Sequence, residues 1–450
     1  MTTTHWRNAV TGDFAKAGKW DDGRPGIKDD AFIAATGPDY IVKVVGADAA
    51  HALTLDSADA TLKEKTHGSL HLGVLNIEAG TAVLTTANTI GNIALSGGDL
   101  KFSDGAALGD AAIAVSHQAT LSATANAEIA NSIMVTGATI AVSNDATLKL
   151  DGEMTFDTSL AERLNFIGNN ANGAADGSGV TDMDGSIGAM SAHTFLLING
   201  ATLGSSIAQS GALDTLLTNA QTIDLESNSV LDLTGQNNLI LHSFGGTGEL
   251  VNTGARENVT IFNGSFGGTT TGDFDLTIEG TSIGGTIALK PGDKIQVIGG
   301  TDFLKTHFQG DAPPIVLSNS NGGALTFDGD TYSGAGPAVD LGTGHNVNLS
   351  IDHGFIGTIS NFGGHNGGGD TIILLDATDQ TPSLEYQPNA DGTGGELIVQ
   401  YATAPEYDLN LIGSYSQGDF TVNPGDPSHI HCSAEQSALR FPVHEVDALI

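Results

Sequence analysis

Apolar residues in this chain recur in a fixed register. The segment Ile93-Ala-Leu95-Ser-Gly97-Gly-Asp-Leu100-Lys-Phe102-Ser103-Asp104 lies over Ile133-Met-Val135-Thr-Gly137-Ala-Thr-Ile140-Ala-Val142-Ser143-Asn144 at an offset of 40 residues, with the apolar positions, the glycine and the serine coinciding. Ala106 and Leu108 continue onto Ala146 and Leu148, and the half-period shows where Ile93 and Leu95 fall on Ile113 and Val115. A repeat of about 20 residues, with short alternating strands between Gly, Asn and Asp turns, describes one coil of a solenoid. An antiparallel sandwich has strands of similar length but does not hold such a register. The pattern therefore predicts an all-β chain folded as a right-handed parallel β-helix (β-solenoid), with an N-terminal cap and a β-rich C-terminal module.

In such a coil each strand pairs with its equivalent one layer away, about 4.8 Å distant, and alternate side chains face inward. Inward columns are expected through Ile93 and Ile133, Leu95 and Val135, and Leu100 and Ile140. Loss of any of these side chains opens a cavity costing a few kcal/mol. Looser layers use the same vocabulary at Leu75–Gly80, Ala119–Leu121, Thr222–Leu225, Val230–Leu233, Leu239–Leu241, Val259–Ile261 and Leu276–Ile278. Helical spacing is confined to Thr158–Phe166 and Leu213–Ala220.

Four sections follow. Residues 1–50 are an N-terminal cap, with Trp6, Trp20 and the turn Asp22-Gly-Arg-Pro-Gly26 ahead of the strand Tyr40–Val45. Residues 51–300 are solenoid coils, interrupted at Gly168–Gly188 by a stretch rich in Gly, Asn and Asp that reads as a protruding loop. Residues 301–422 are a β-rich module continuing the solenoid with longer strands, and 423–450 is an irregular tail with no strand pattern. Composition suits thin stacked layers: aromatic residues make up only 6% of the chain and the apolar ones are mostly Ala, Val, Ile and Leu.

Against 16 Lys and Arg stand 52 Asp and Glu, a formal net charge of −36. Such a field argues against nucleic acid and anionic membrane as partners. It leaves two readings, a soluble exposed surface or Ca²⁺ held by carboxylate-bearing turns. Cys432 is the only cysteine, so no intramolecular disulfide forms. Met1 to Trp20 contains no apolar core of signal-peptide length, so no Sec signal is visible. No stretch approaches the ~20 apolar residues of a transmembrane helix.

Two parts of the sequence resemble a known family. The opening, with Trp6, Gly12, Trp20, Gly23, Pro25, Asp29-Asp30-Ala31 and Tyr40-Ile41-Val42, is similar to solenoid units of large exported alphaproteobacterial proteins, related to autotransporter passengers and repeats-in-toxin-type adhesins. Phe355-Ile-Gly357-Thr358-Ile359, Phe362, Gly369-Asp370-Thr371-Ile372, Gly395-Glu-Leu397-Ile-Val399, Leu409-Asn-Leu411-Ile-Gly413-Ser-Tyr415 and Phe420-Thr-Val422 resemble a module that follows or ends such coils. In that module an acidic Gly-rich segment and another apolar strand normally follow. Here Pro424-Gly-Asp-Pro-Ser-His-Ile-His-Cys-Ser433 stands instead, so the module reads as incomplete. The resemblance implies an extracellular or cell-surface location and adhesive function.

Residues able to carry chemistry are sparse. Gly367-Gly-Gly369-Asp370-Thr371-Ile372 matches the second half of one calcium-binding nonapeptide, with no tandem copy. Asp370, with the pairs Asp182/Asp184 and Asp328/Asp330, forms the best set of oxygen ligands for Ca²⁺, although each reads more readily as a turn or loop carboxylate. His429-Ile-His431-Cys432 puts two imidazoles on one side of a strand without further ligands, and His345, His353 and His365 fall in polar turns. A catalytic site is not expected, because no group of Asp with Arg or Lys recurs at coil spacing. The sequence thus reads as a non-catalytic exported surface or matrix protein, adhesin-like, binding carbohydrate or cell surfaces and open to self-association. The alternatives are a Ca²⁺-dependent repeats-in-toxin-type exoprotein and a polysaccharide lyase or hydrolase on a β-helix.

Overall fold

The structure, a computed structural model, describes residues 2–116, 119–143, 145–159, 161–169, 179–191, 193–208, 210–318, 323–344, 346–363, 369–377 and 380–434. The chain is all-β, with 57% strand and 5% helix, and its parallel stacked coils form a β-solenoid. No described helix is long and apolar enough to cross a membrane. Contacts divide the chain into two units, Met1–Val251 and Asn252–Ile450.

In the first unit the strands stack as walls. One wall runs from Thr3–His5 through Asp30–Ile33, Ala47–Glu64, Ser69–Leu84, Thr89–Leu95, Ala112–Ser116 and Ile133–Thr136 to Glu153–Phe156, each paired in parallel with the next. Its register builds the inward column Ala31, Leu53, Leu75, Ile93, Ile113, Ile133 and Met154, all buried. A second wall stacks Val42, Leu62, Ala82, Leu100, Leu121, Ile140, Phe166, Ile198 and Leu225 in the same way. The three expected pairs are therefore columns two coils apart, with Ile113, Val115 and Leu121 between their members. Small aliphatic side chains repeat because the space between walls is thin and close-packed, and each must sit directly on its neighbour.

Corners between walls need backbone that a side chain would obstruct. Gly80 and Gly98 both have positive φ, +82° and +67°, and a Cβ on Gly98 would strike the Gly80 carbonyl one coil away. Trp6, Phe14 and Trp20 fill the first coil: Trp20 meets Trp6 and Phe14 edge-on at 5.2 and 5.0 Å, and its indole N–H donates to the Phe14 carbonyl at 2.8 Å. This aromatic cap is built inside the parallel ladder, since Thr3–His5 and Asp30–Ile33 already pair as coils.

Local expectations divide. The helix expected near Leu213–Ala220 is Gly211–Asn219, with the Ser210 hydroxyl accepting from the Leu213 amide and Leu213, Leu216 and Leu217 buried. Thr158–Phe166 holds no described helix. Arg163–Asn169 is a strand, because Leu164 and Phe166 alternate inward with period two and join the second wall. Within Gly168–Gly188, the loop expectation falls partly outside the described residues, and Gly179–Met183 and Ser186–Ile187 are strands of the ladder.

The second unit has a bulkier interior. The column Ile295, Ile315, Val339 and Ile359 runs beside a stack of phenylalanines in which Phe303 and Phe327 lie 5.1 Å apart and nearly parallel, followed by Phe355 at 5.2 Å. Parallel coils run as far as Asp370–Leu374, after which the chain turns antiparallel. Ser383–Pro388, Gly394–Gln400 and Tyr407–Ile412 form a meander, and Tyr407–Ile412 pairs in parallel with Thr358–Ser360.

The tail expected to be irregular from 423 contains the strand Asp426–Cys432. It forms a hairpin with Phe420–Asn423 and lies antiparallel on Asp370–Leu374, burying Ile430 and Cys432. The strand covers the edge that Asp370–Leu374 would otherwise expose. Its pattern is masked in sequence by Pro427 and by the polar residues before Ile430.

Candidate functional site

Between the inward positions of the second wall, alternate residues face outward, one per coil. In register these are Thr61, Thr81, Asp99, Thr120, Thr139 and Asn165, each half-buried. The spacing is that of paired strands, about 4.8 Å, so the wall presents a regular row of hydroxyl, carboxylate and amide groups. Asn165 donates to the Thr139 hydroxyl at 3.3 Å, which ties two members of the row together. A hydroxyl both donates and accepts, so such a row can meet the hydroxyls of an extended polymer without leaving any of them unpaired.

The carboxylates singled out for calcium are employed in holding turns. Asp182 accepts from the Ser206 amide at 2.6 Å, while Asp184 accepts from the Ser205 and Ser206 hydroxyls, both at 2.6 Å, and lies 3.4 Å from the Lys149 ammonium. Burial pushes the Asp182 carboxyl up. It works the same way on Asp184, but the serine hydroxyls, Asp182 and Lys149 outweigh it and hold Asp184 at about 2. Asp328 is exposed and Asp330 buried, so the two do not face one site. Asp330 accepts from the Thr306 amide at 2.6 Å, its second oxygen has no hydrogen-bond partner, and burial raises its pKa to about 7. Asp370 is buried and accepts from the Val347 and Gly363 amides at 3.0 and 3.1 Å. Gly367 and Gly368 lie outside the described residues. Among the described residues no three His, Cys, Asp or Glu side chains converge as a metal-binding group.

His429 and His431 do share one side of their strand, opposite buried Ile430 and Cys432. His429 pairs with Asp426 at 3.0 Å and His431 lies 2.8 Å from the Thr371 hydroxyl. Burial raises the Cys432 thiol to about 12. His353 pairs with Asp376 at 2.6 Å, whereas His345 and His365 fall outside the described residues.

One constellation contradicts the expectation that acids and bases do not recur at coil spacing. Arg256 contacts Asp273 at 2.9 Å and Asp293 at 2.8 Å and approaches Asp275 at 3.9 Å. Lys290 lies 3.7 Å from Asp273 and Lys294 3.8 Å from Asp275. Asp293 is fully buried and accepts from the Phe274 and Lys290 amides, and its burial raises its pKa. The hydrogen bond from Arg256 lowers Asp273. Sequence signals existed in Asp275 and Lys294, which sit in register, but Arg256 and Asp293 approach through a turn that spacing alone does not place. Three cations meet three carboxylates, so the cluster ties neighbouring coils together.

The fold and the outward row define a repeat protein of the β-solenoid class whose polar side chains recur coil by coil. In comparisons with known proteins, the chain matches no family model, no curated protein and no solved structure.

Proposed function

We propose that this chain is a non-catalytic exported surface or matrix protein, adhesin-like, that binds carbohydrate along an outward wall of its first unit. The observation that carries the reading is the row Thr61, Thr81, Asp99, Thr120, Thr139 and Asn165, a repeated polar lattice on a rigid stack of strands. Repeat architectures present such extended surfaces, and rigidity lowers the ordering cost of binding. The extracellular setting rests on the similarity of the opening and of the Phe355–Val422 region to exported solenoid proteins. The calcium alternative is less well supported, since Asp182, Asp184 and Asp370 are engaged by serine hydroxyls and backbone amides, Asp330 accepts from the Thr306 amide through one oxygen, and exposed Asp328 does not share a site with it.

The test is a glycan-binding screen with the full chain, repeated on a variant carrying Thr81→Val and Thr120→Val. These substitutions keep shape and remove hydroxyls, so affinity for a bound glycan should fall about tenfold, the equivalent of one or two hydrogen bonds. Binding unaffected by the double substitution would remove the wall from the proposal. Release of reducing sugar from any glycan in the screen would replace binding by hydrolysis or lysis.

A further inference from the structure

Beside the hydroxyl row runs a second outward row, two residues further along each strand. In register it reads Asp13, Lys43, Lys63, Val83 and Lys101, each half-buried. Lys43 and Lys63 stand directly opposite one another on adjacent strands, an arrangement that repulsion disfavours. Among the described residues none of the three lysines makes an ion pair, whereas Lys149, Arg256, Lys290 and Lys294 all do. Beyond Lys101 the row passes to Ser122 and Ala141, which are buried, so its open stretch is the part that carries the lysines.

Charge across the chain is distributed accordingly. Nine of the 16 basic residues stand within residues 1–101, against 12 of the 52 acidic ones, so this segment contributes only −3 of the −36. At the head of the row an open cleft of about 420 Å³ is lined by Gly12, Asp13, Lys16, Ala17, Gly18 and Lys19, and Lys19 donates to the Thr11 carbonyl at 3.3 Å.

Resting on the carbohydrate reading above, we infer that the paired rows Thr61, Thr81, Asp99, Thr120 and Lys43, Lys63, Lys101 bind an anionic polysaccharide, a chain of uronate sugars laid across the coils. The hydroxyl row meets sugar hydroxyls, while the lysines meet carboxylates spaced along the polymer. Asp13 and Asp99 accept hydroxyls and keep the rows from attracting a densely charged polyanion. Nucleic acid fits less well, because neither row holds an aromatic side chain on which a base could stack and the rest of the chain is strongly acidic.

The experiment is calorimetric titration of the full chain with oligogalacturonate and with neutral cello-oligosaccharide of equal length, at low and at high NaCl. Uronate should bind roughly tenfold or more tightly than the neutral oligomer at low salt, and the preference should shrink as salt screens the lysines. The triple variant Lys43→Gln, Lys63→Gln, Lys101→Gln should lose the preference yet keep the neutral-sugar affinity and an unchanged or raised Tm. A Lys290→Gln, Lys294→Gln variant should keep the preference. Equal affinity for the two oligomers, a preference that survives the triple substitution, or tighter binding of single-stranded DNA or anionic lipid vesicles than of uronate would overturn the inference while leaving carbohydrate binding standing in the first two cases. Absence of binding to either sugar would overturn both.

Discussion

Two places in this molecule gather cations from different coils, and they are built in opposite ways. Around Arg256 in the second unit, Lys290 and Lys294 complete a set in which each positive charge has a carboxylate within 4 Å and one of those carboxylates, Asp293, is fully buried. Along Lys43, Lys63 and Lys101 in the first unit there are hydroxyls in the neighbouring row and, among the described residues, no ion pair. The difference separates charge used to close a structure from charge left available to a partner. A buried ion must be met by something inside the protein, whereas an exposed row tolerates repulsion because water and salt weaken it.

The two clusters should differ most at Arg256. Arg256→Ala leaves Asp293 buried without its cation and should cost roughly 3 kcal/mol at neutral pH, read from the shift in urea midpoint of the full chain. The loss should shrink in acid, where Asp293 takes up a proton and needs no cation. A loss below about 1 kcal/mol at neutral pH would mean that the cluster is surface decoration.

Asp330 is the opposite case to Asp293, 7% exposed and, among the described residues, without a cation paired to it. Its carboxyl is pushed up to about 7 from 3.8, by burial first and then by Asp352 and Asp328, against the Thr306 hydrogen bonds. Below about pH 4 both folded and unfolded chains hold this proton and the group is silent. As pH rises from about 4 to about 7 the unfolded chain ionises while the folded one does not, so stability falls, and the full penalty stands above pH 7. Asp330→Asn should therefore stabilise by about 2 kcal/mol at pH 8 and change little at pH 4, the new amide still needing a partner of its own. Equal melting temperatures of the two proteins at pH 8 would show that Asp330 ionises freely in the fold.

The smallest effect carries the sharpest sign. Lys63→Gln should raise stability by about 0.3 kcal/mol by relieving Lys43, while Lys294→Gln should lower it by a similar amount through loss of Asp275. Paired thermal melts at low ionic strength should show the opposite signs converge as salt is added, and two shifts of the same sign would erase the distinction between the clusters.

Much of the architecture was legible because inward apolar positions repeat wherever coils stack. Ile93, Ile113 and Ile133 announce their own column, and so do Leu100, Leu121 and Ile140. Legibility failed where polarity or proline disguised a strand. Asp426–Cys432 looks like a loop in sequence and becomes a strand because an open edge of backbone donors and acceptors lies beside it. Arg163–Asn169 sits in a stretch with helical spacing and is extended because the second wall already offers Ile140 and Ile198 as neighbours above and below.

The candidate site was less visible than the fold. Lys43, Lys63 and Lys101 are separated by 20 and 38 positions, and the coil lengths between them are unequal, so no fixed period reveals the row. Likewise Asp182 and Asp184 attract attention as neighbouring acids, yet they are turn supports because Ser205 and Ser206 arrive from the next coil.

The parallel coil, its inward columns and the acidity of the whole are written in the residue order, since these follow from periodic burial and composition. Which outward side chains become neighbours is settled in the folded stack, because coils of unequal length change the sequence spacing from layer to layer. Pairing of backbone between those layers then fixes, coil by coil, which charges meet and which remain open to a partner.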